Sequence, residues 1–285
     1  MFKVTKYFFQ SFIIYFLFLI GKILGLKLSR IFFSYFFLYF ANFFKSKNII
    51  DKNIENFSNK ISVTQKKEII SNMWKNYGMT FIEYAYLSYF RNKNSHINIK
   101  GEKELNIVDN KNKPVIFVSG HFANFELMSM EITKKNIKLA TIYRPLNNFF
   151  LNPFMEFLRK KYICRNQIKK GINGVRDSIE YIKKGFSIAL MIDQRVSEGE
   201  KVNFFNKPAL TTTLPAQLAL KYNLSIIPVF IERTKENNFE ITFLENINPT
   251  EFKNKIDLTI KLNSILEQMI QKNPNQWIWT HNRWK

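Results

Sequence analysis

The chain has 285 residues, enough for one large core with an attachment, and carries 43 Lys+Arg against 22 Asp+Glu for a formal charge of +21. So large an excess calls for anionic partners such as lipid headgroups, phosphorylated substrates or an acidic carrier protein. Zinc-finger spacing, an Arg-rich arm and an aromatic-glycine RNA-binding signature are all absent, which sets nucleic acid aside. The single cysteine, Cys164, excludes an intrachain disulfide and fits a reducing compartment or a cytoplasm-facing surface.

The N-terminus is the least water-compatible part. Residues 7–21 (YFFQSFIIYFLFLIG) are apolar apart from Gln10 and Ser11, and the run continues past Lys22 to Leu26. At about 1.5 Å per helical residue, twenty residues nearly reach across a hydrocarbon core of about 30 Å if Lys22 snorkels. With Lys27 and Arg30 following in place of a small-residue cleavage site, an uncleaved anchor is expected rather than a signal peptide. Residues 31–44 (IFFSYFFLYFANFF) are too short to span alone and are expected to lie in the interface or against the body. Basic residues after the first run, against Lys3 and Lys6 before it, favour a C-terminal body in the cytoplasm. The expected division is a membrane-anchoring region at 1–47 and a catalytic domain at 48–285.

Ser62-Val63-Thr64-Gln65 reads as a capping box. It opens an amphipathic helix whose Ile70, Met73, Trp74, Tyr77, Phe81 and Tyr84 recur at helical spacing to about Tyr89. From His96 onward short apolar runs at 96–99, 114–119, 138–143, 187–192, 225–231 and 239–244 read as strands. Helix-like stretches fall near 122–134, 148–162, 172–184, 212–223 and 252–272, and an extended tail at 277–285. Strands alternating with helices define an α/β fold, a mixed, largely parallel sheet flanked by helices.

The stretch Val118-Ser119-Gly120-His121-Phe122-Ala123-Asn124-Phe125-Glu126 follows one of these strands, where an open α/β sheet exposes reactive side chains. The chain has only three histidines, His96, His121 and His281, so the pool of candidate bases is small. On an ideal helix His121 and Glu126 would stand roughly 140° apart, so the two can meet only if His121 lies in the turn before the helix. Spacing alone leaves two readings open: a general base oriented by Glu126, and a histidine that merely caps a helix. No G-x-S-x-G elbow and no metal-ligand cluster is present, which leaves a serine hydrolase or a metalloenzyme without support.

Several short motifs occur in one order: Gly120-His121-x4-Glu126; Tyr143-Arg144-Pro145 with Asn147-Asn148; Asp193-Gln194; Val202-x-Phe204-Phe205 running into Ala209-x-Thr211; Pro228-Val229; and Gln276-Trp277-x-Trp279-x-His281-x-Arg283-Trp284-Lys285. The ordered set resembles the lipid A biosynthesis acyltransferases, the lauroyl/myristoyl branch of the lysophospholipid acyltransferase superfamily, over essentially the whole chain. Phe125 and Asn206 stand where that family's pattern often carries Trp and Gly. The resemblance implies acyl transfer from an acyl-carrier-protein thioester to a hydroxyl of a phosphorylated glycolipid, without metal, cofactor or acyl-enzyme. The acyl carrier protein, the lipid A precursor and anionic membrane lipids are then the expected partners, at the cytoplasmic side of the inner membrane. It implies His121 and Glu126 as a catalytic dyad, and Arg144 as a contact for a phosphate or the developing oxyanion. Asp193 would orient Arg144 or the acceptor, and Gln194 and Asn124 would help bind substrate. A surface role for Arg144 and a structural pairing for Asp193 stay open, as does a packing role for Trp277 and Trp279. Another lipid acceptor, or a non-catalytic membrane protein that keeps the fold, is the alternative.

Overall fold

The computed structural model describes residues 2–44, 46–111 and 113–285; Met1 and Lys45, inside the expected anchor region, and Asn112 lie outside the described residues. The apolar N-terminus forms one helical run, α1 (Phe2–Phe44), broken only at Gly25, whose backbone (φ 73, ψ 162) is left-handed and costs a glycine little. The two expected apolar blocks are therefore one run with a single kink, and nothing unwinds between Leu26 and Ile31. Among the described residues one helix is long and apolar enough to cross a membrane by length and composition, Lys3–Phe40, with a mean hydropathy of 1.9 over an 18-residue stretch. The short α2 (Lys47–Phe57) follows, a helix that composition did not reveal. Then comes α3 (Val63–Glu83), opened by the expected capping box, in which Ser62 Oγ accepts from the Gln65 N–H and Gln65 Oε1 from the Ser62 N–H. The second arm of α1 packs on α3 through Phe33 and Phe37 against Phe81.

After α4 (Leu87–Asn92) the chain alternates: β1 (Ile97–Lys100), α5 (Asn106–Lys111), β2 (Ile116–Ser119), α6 (Glu126–Lys134), β3 (Leu139–Tyr143) and α7 (Asn152–Leu158). It continues through β4 (Asn166–Lys169), α8 (Ile172–Lys183), β5 (Ser187–Met191), β6 (Glu200–Phe204), β7 (Lys207–Thr211) and α9 (Leu214–Tyr222). The last elements are β8 (Ile226–Arg233), β9 (Phe239–Phe243) and α10 (Lys255–Lys272). Seven strands form one sheet in the order β1-β9-β8-β2-β5-β3-β4, parallel throughout except between β8 and β9. The central strand β2 is buried along its whole length, as a parallel strand covered by helices on both faces must be. Three strands lay outside the sequence reading: β4 on the sheet edge, and β6 with β7, which form a separate antiparallel hairpin. That hairpin turns on Phe205 (φ 51) and Asn206 (φ 58), both left-handed as a tight two-residue turn requires, so Asn206 fills a position where glycine was expected. The 277–285 tail is not extended: apart from a bridge pairing Trp277 with Phe122 it runs in turns over the sheet edge, with Trp277, Trp279 and Arg283 buried.

One ionic centre joins these parts. Glu83, at the end of α3 and fully buried, accepts from Arg30 Nε at 2.7 Å, from Arg233 Nη1 at 2.5 Å and Nη2 at 3.0 Å, and from Asn124 Nδ2 at 3.0 Å. Arg30, expected as a flanking surface charge of the anchor, is thus drawn into the core. Burial alone would raise the Glu83 carboxyl, but the Arg233 and Arg30 guanidinia overcome it and hold it below its usual range. Replacing Glu83 with Ala leaves two guanidinia buried without a counter-charge, and the expected loss is about 3–5 kcal/mol in urea unfolding of the detergent-solubilised protein. A loss under about 1 kcal/mol, typical of a surface pair, would show that the centre carries no such weight.

Candidate active site

The carboxyl ends of β2, β5, β3 and β4 lie side by side, and the residues just beyond them converge: His121 after β2, Asp193 after β5, Arg144 after β3 and Lys170 after β4. This is the edge at which open α/β sheets bind ligands. His121 sits in the turn before α6. Gly120 allows that turn, because a Cβ there would lie 2.7 Å from the Phe122 ring and 2.9 Å from Leu266. Ala123 takes a left-handed backbone (φ 43), and the strain is held from both sides: its N–H donates to Gln276 O at 3.1 Å and its carbonyl accepts from Thr80 Oγ1 at 3.0 Å.

The expected pairing of His121 with Glu126 does not form. His121 Nδ1 lies 2.7 Å from Asp193 Oδ1, and the His121 backbone N–H donates to Asp193 Oδ2 at 2.8 Å. Trp277 Nε1 donates to the same Oδ2 at 2.8 Å. Asp193 was expected to face Arg144 or the substrate; the three donors leave it a buried partner of the histidine. Burial pushes its carboxyl up, but the His121 charge and these hydrogen bonds outweigh that and hold it at about 2. An ionised carboxylate can only accept, so Nδ1 carries the proton and Nε2 is the ring's free acceptor. The ring also packs edge-on against Phe125 at 4.6 Å.

Glu126, the first residue of α6, is engaged elsewhere: its Oε1 accepts from Tyr84 Oη at 2.6 Å and from Arg159 Nε at 2.7 Å. Arg159 opens a π-helical turn after α7, an irregularity frequent at functional sites. Burial lowers its guanidinium, but the Glu126 carboxylate and the Tyr84 hydroxyl more than offset this and hold it protonated. Arg159, which in the sequence could be an anion contact but reads better as part of a solvated face, turns inward and lines both cavities. Asn124, expected to bind substrate, is instead buried with its amide on Glu83 and lines neither of the cavities at His121.

Two cavities meet at His121, sharing His121, Phe125, Arg159 and Gln194. One, about 240 Å³, adds the cations Arg144 and Lys170 together with Tyr143 and Gln167. Burial and the nearby Arg144 charge push the Lys170 ammonium below its ordinary value, so two like charges face one space. The other, about 370 Å³, is lined by Met73, Tyr77, Phe81, Trp277 and Ile278, with His281 at its wall. His281 Nε2 accepts the Arg195 N–H at 2.9 Å. Among the described residues no group of three or more His, Cys, Asp or Glu side chains could hold a metal ion.

His121, held by the buried Asp193, thus lines both cavities at the carboxyl edge of the sheet. The chain matches the bacterial lipid A biosynthesis acyltransferases over residues 1–285 and belongs to that family. It is 22% identical over 247 residues to the lipid A biosynthesis palmitoleoyltransferase of Escherichia coli (strain K12), covering 85% of this chain and 79% of that protein. The lipid A biosynthesis acyltransferase of Shigella flexneri shows the same 22% identity and coverage. Among solved structures, the 1-acyl-sn-glycerophosphate acyltransferase from Thermotoga maritima matches with 13% identity and a TM-score of 0.43, covering 89% of this chain and 100% of that one. The protein is an acyltransferase of the lipid A type.

The buried His96 and the half-buried His281 are both lowered by desolvation from 6.5 to about 4 and are neutral in the fold. Unfolding frees them to take up protons, so their contribution is fully present above pH 6.5 and is lost as pH falls toward 4. Asp193, depressed from 3.8 to about 2, keeps its contribution until pH drops below 3.8. The thermal unfolding temperature should therefore fall between pH 6.5 and 4, and His281→Gln should make that fall shallower; a flat profile over this window would contradict the burial of both rings.

Proposed function

We propose that this protein, anchored in the inner membrane with its body on the cytoplasmic side, moves a fatty acyl chain from an acyl-carrier-protein thioester to a hydroxyl of a lipid A precursor. The observation that carries the mechanism is the Asp193-bound His121 with its free Nε2 at the junction of the two cavities. The acceptor hydroxyl gives its proton to Nε2 as its oxygen attacks the thioester carbonyl carbon. Asp193 stabilises the imidazolium that results. The tetrahedral intermediate then expels the carrier thiolate, which takes the proton back from Nε2, so no acyl-enzyme and no cofactor enters the balance. Arg144 and Lys170 supply positive charge for the acceptor's phosphate, and Arg159, fixed by Glu126, faces the developing oxyanion. The aromatic cavity takes the hydrocarbon of the acyl chain. The charge of +21 suits both an acidic carrier and a phosphorylated acceptor.

His121→Ala should abolish transfer while expression and membrane association persist, and Asp193→Asn should lower kcat by about 10²- to 10⁴-fold. Mass spectrometry of lipid A from cells relying on each variant reads the result: a missing acyl chain supports the assignment, loss of another lipid moves the acceptor, and an unchanged profile refutes catalysis by His121. Because Glu126 is proposed to act through Arg159, Glu126→Ala combined with Arg159→Ala should be no slower than the worse single variant; additive losses would show that Glu126 has a separate role.

A further inference from the structure

The loop between β3 and α7 is built differently from an ordinary surface loop. Phe149 is 51% exposed, Phe150 37%, and Phe157 on α7 53%. The loop is fastened along the first arm of α1. Tyr7 packs on Phe149 at 5.8 Å, Phe8 on Phe150 at 5.7 Å and Tyr15 on Phe154 at 5.3 Å, and Tyr15 Oη donates to Phe150 O. Asn148 is the fastener: its Nδ2 donates to Tyr7 O at 2.9 Å, and its Oδ1 accepts from Ser11 Oγ at 2.9 Å. The same Oδ1 accepts the Phe150 and Leu151 N–H groups, the Asn148 carbonyl accepts the Asn152 N–H, and Asn152 Oδ1 accepts the Leu146 N–H. The Leu146, Phe150 and Leu151 N–H groups, which would face water elsewhere, are satisfied from within, which lowers the cost of entering hydrocarbon.

The exposed rings of Phe149 and Phe150 continue the exposed apolar face of Phe8, Phe9, Phe12 and Phe16 without a polar break at their contacts. Exposed lysines flank this surface, Lys3 and Lys6 on the arm and Lys160 and Lys161 after Phe157, with Lys161 Nζ lying 5.3 Å over the Phe157 ring. An apolar face rimmed by lysines fits a bilayer with anionic headgroups.

We propose that the β3–α7 loop, with Phe157, is a second membrane-inserting element that enters an anionic bilayer beside α1. The proposal rests on the reading of α1 as bilayer-embedded, since the loop shares whatever depth the arm takes. It follows that the body sits flush against one leaflet. Arg144 lies at the start of this loop and Leu146 on the wall of the aromatic cavity, so the mouth of the reaction centre faces the headgroup layer.

The test uses the full chain with single cysteines at Phe149→Cys, at Phe12→Cys on the arm and at Ile260→Cys on α10, which packs on β6, α9 and β8. Cys164 is buried and its thiol is pushed up by burial, so the introduced thiols label selectively with an environment-sensitive fluorophore. In vesicles of phosphatidylethanolamine with phosphatidylglycerol, the label at 149 should shift to the blue and be quenched by spin-labelled lipids about 5–10 Å below the headgroup boundary. The label at 12 should do the same, while that at 260 stays in water. A label at 149 that stays in water while that at 12 is quenched overturns the proposal and spares the anchor; if neither responds, the anchor reading falls and takes the proposal with it.

Discussion

The Glu83 carboxylate is the interaction on which the arrangement depends. A charge without solvent is tolerated only when paired and hydrogen-bonded, and Glu83 meets that condition with two guanidinia and an amide from three distant parts of the chain. Arg30 comes from the apolar α1, Arg233 from the end of β8 and Asn124 from the turn that carries His121. Arg233 also lies over the Phe239 ring at 4.7 Å, so even the faces of the cations are covered. No one of these elements can shift without stranding a charge in the core. The position of α1 on the body and that of the turn that carries His121 are thus set by the same atoms.

From that centre the geometry passes to His121 over three residues. Asn124 is pinned by Glu83, Ala123 is held left-handed between Thr80 and Gln276, and His121 is left facing across β2 to its neighbour β5. The C-terminal tail closes the arrangement from the other side, Gln276 bracing the turn and the Trp277 indole bracing Asp193. Of the three tryptophans of the motif Trp277 and Trp279 are buried, but only Trp277 has its indole on Asp193; the Trp279 indole donates to Pro274 O and that of Trp284 to Phe204 O.

Much of this was legible in the sequence. Runs of four to seven apolar residues between amphipathic stretches located the parallel core strands, and the capping box started α3. The partner of His121 was not legible. Glu126 is five positions away along the chain, whereas Asp193 is brought close by strand order, and strand order carries no local signal: β3 follows β2 in sequence yet lies beyond β5 in the sheet. The available hint was that 187–192, like 114–119, is a buried run ending in a polar pair at the same sheet edge. The strands missed have physical reasons as well. β4 is a mostly polar edge strand, and β6 and β7 bury only alternate residues, leaving runs too short to stand out. Arg159 was illegible because its partners Glu126 and Tyr84 lie 33 and 75 residues away, contacts that composition does not announce.

The two carboxylates near the histidine end with different tasks, and environment divides them. Asp193 is buried among donors, His121 and Trp277, which lower it and fix one tautomer of the ring. Glu126 meets a guanidinium and a phenol instead, and the Tyr84–Glu126–Arg159 cluster becomes a wall of the reaction centre, Arg159 facing both cavities. Both acids are engaged by protein partners, so the charges of Arg144 and Lys170 are offset only in part, by Asp193 and the exposed Glu198 acting on Lys170. The cavity that holds both cations thus keeps an excess of positive charge, while the aromatic one has Arg159 as its one Lys or Arg lining residue. The proposed acyl transfer asks for both at once, a charged headgroup on one side of His121 and a fatty chain on the other, and the two compartments answer that demand more specifically than the histidine alone.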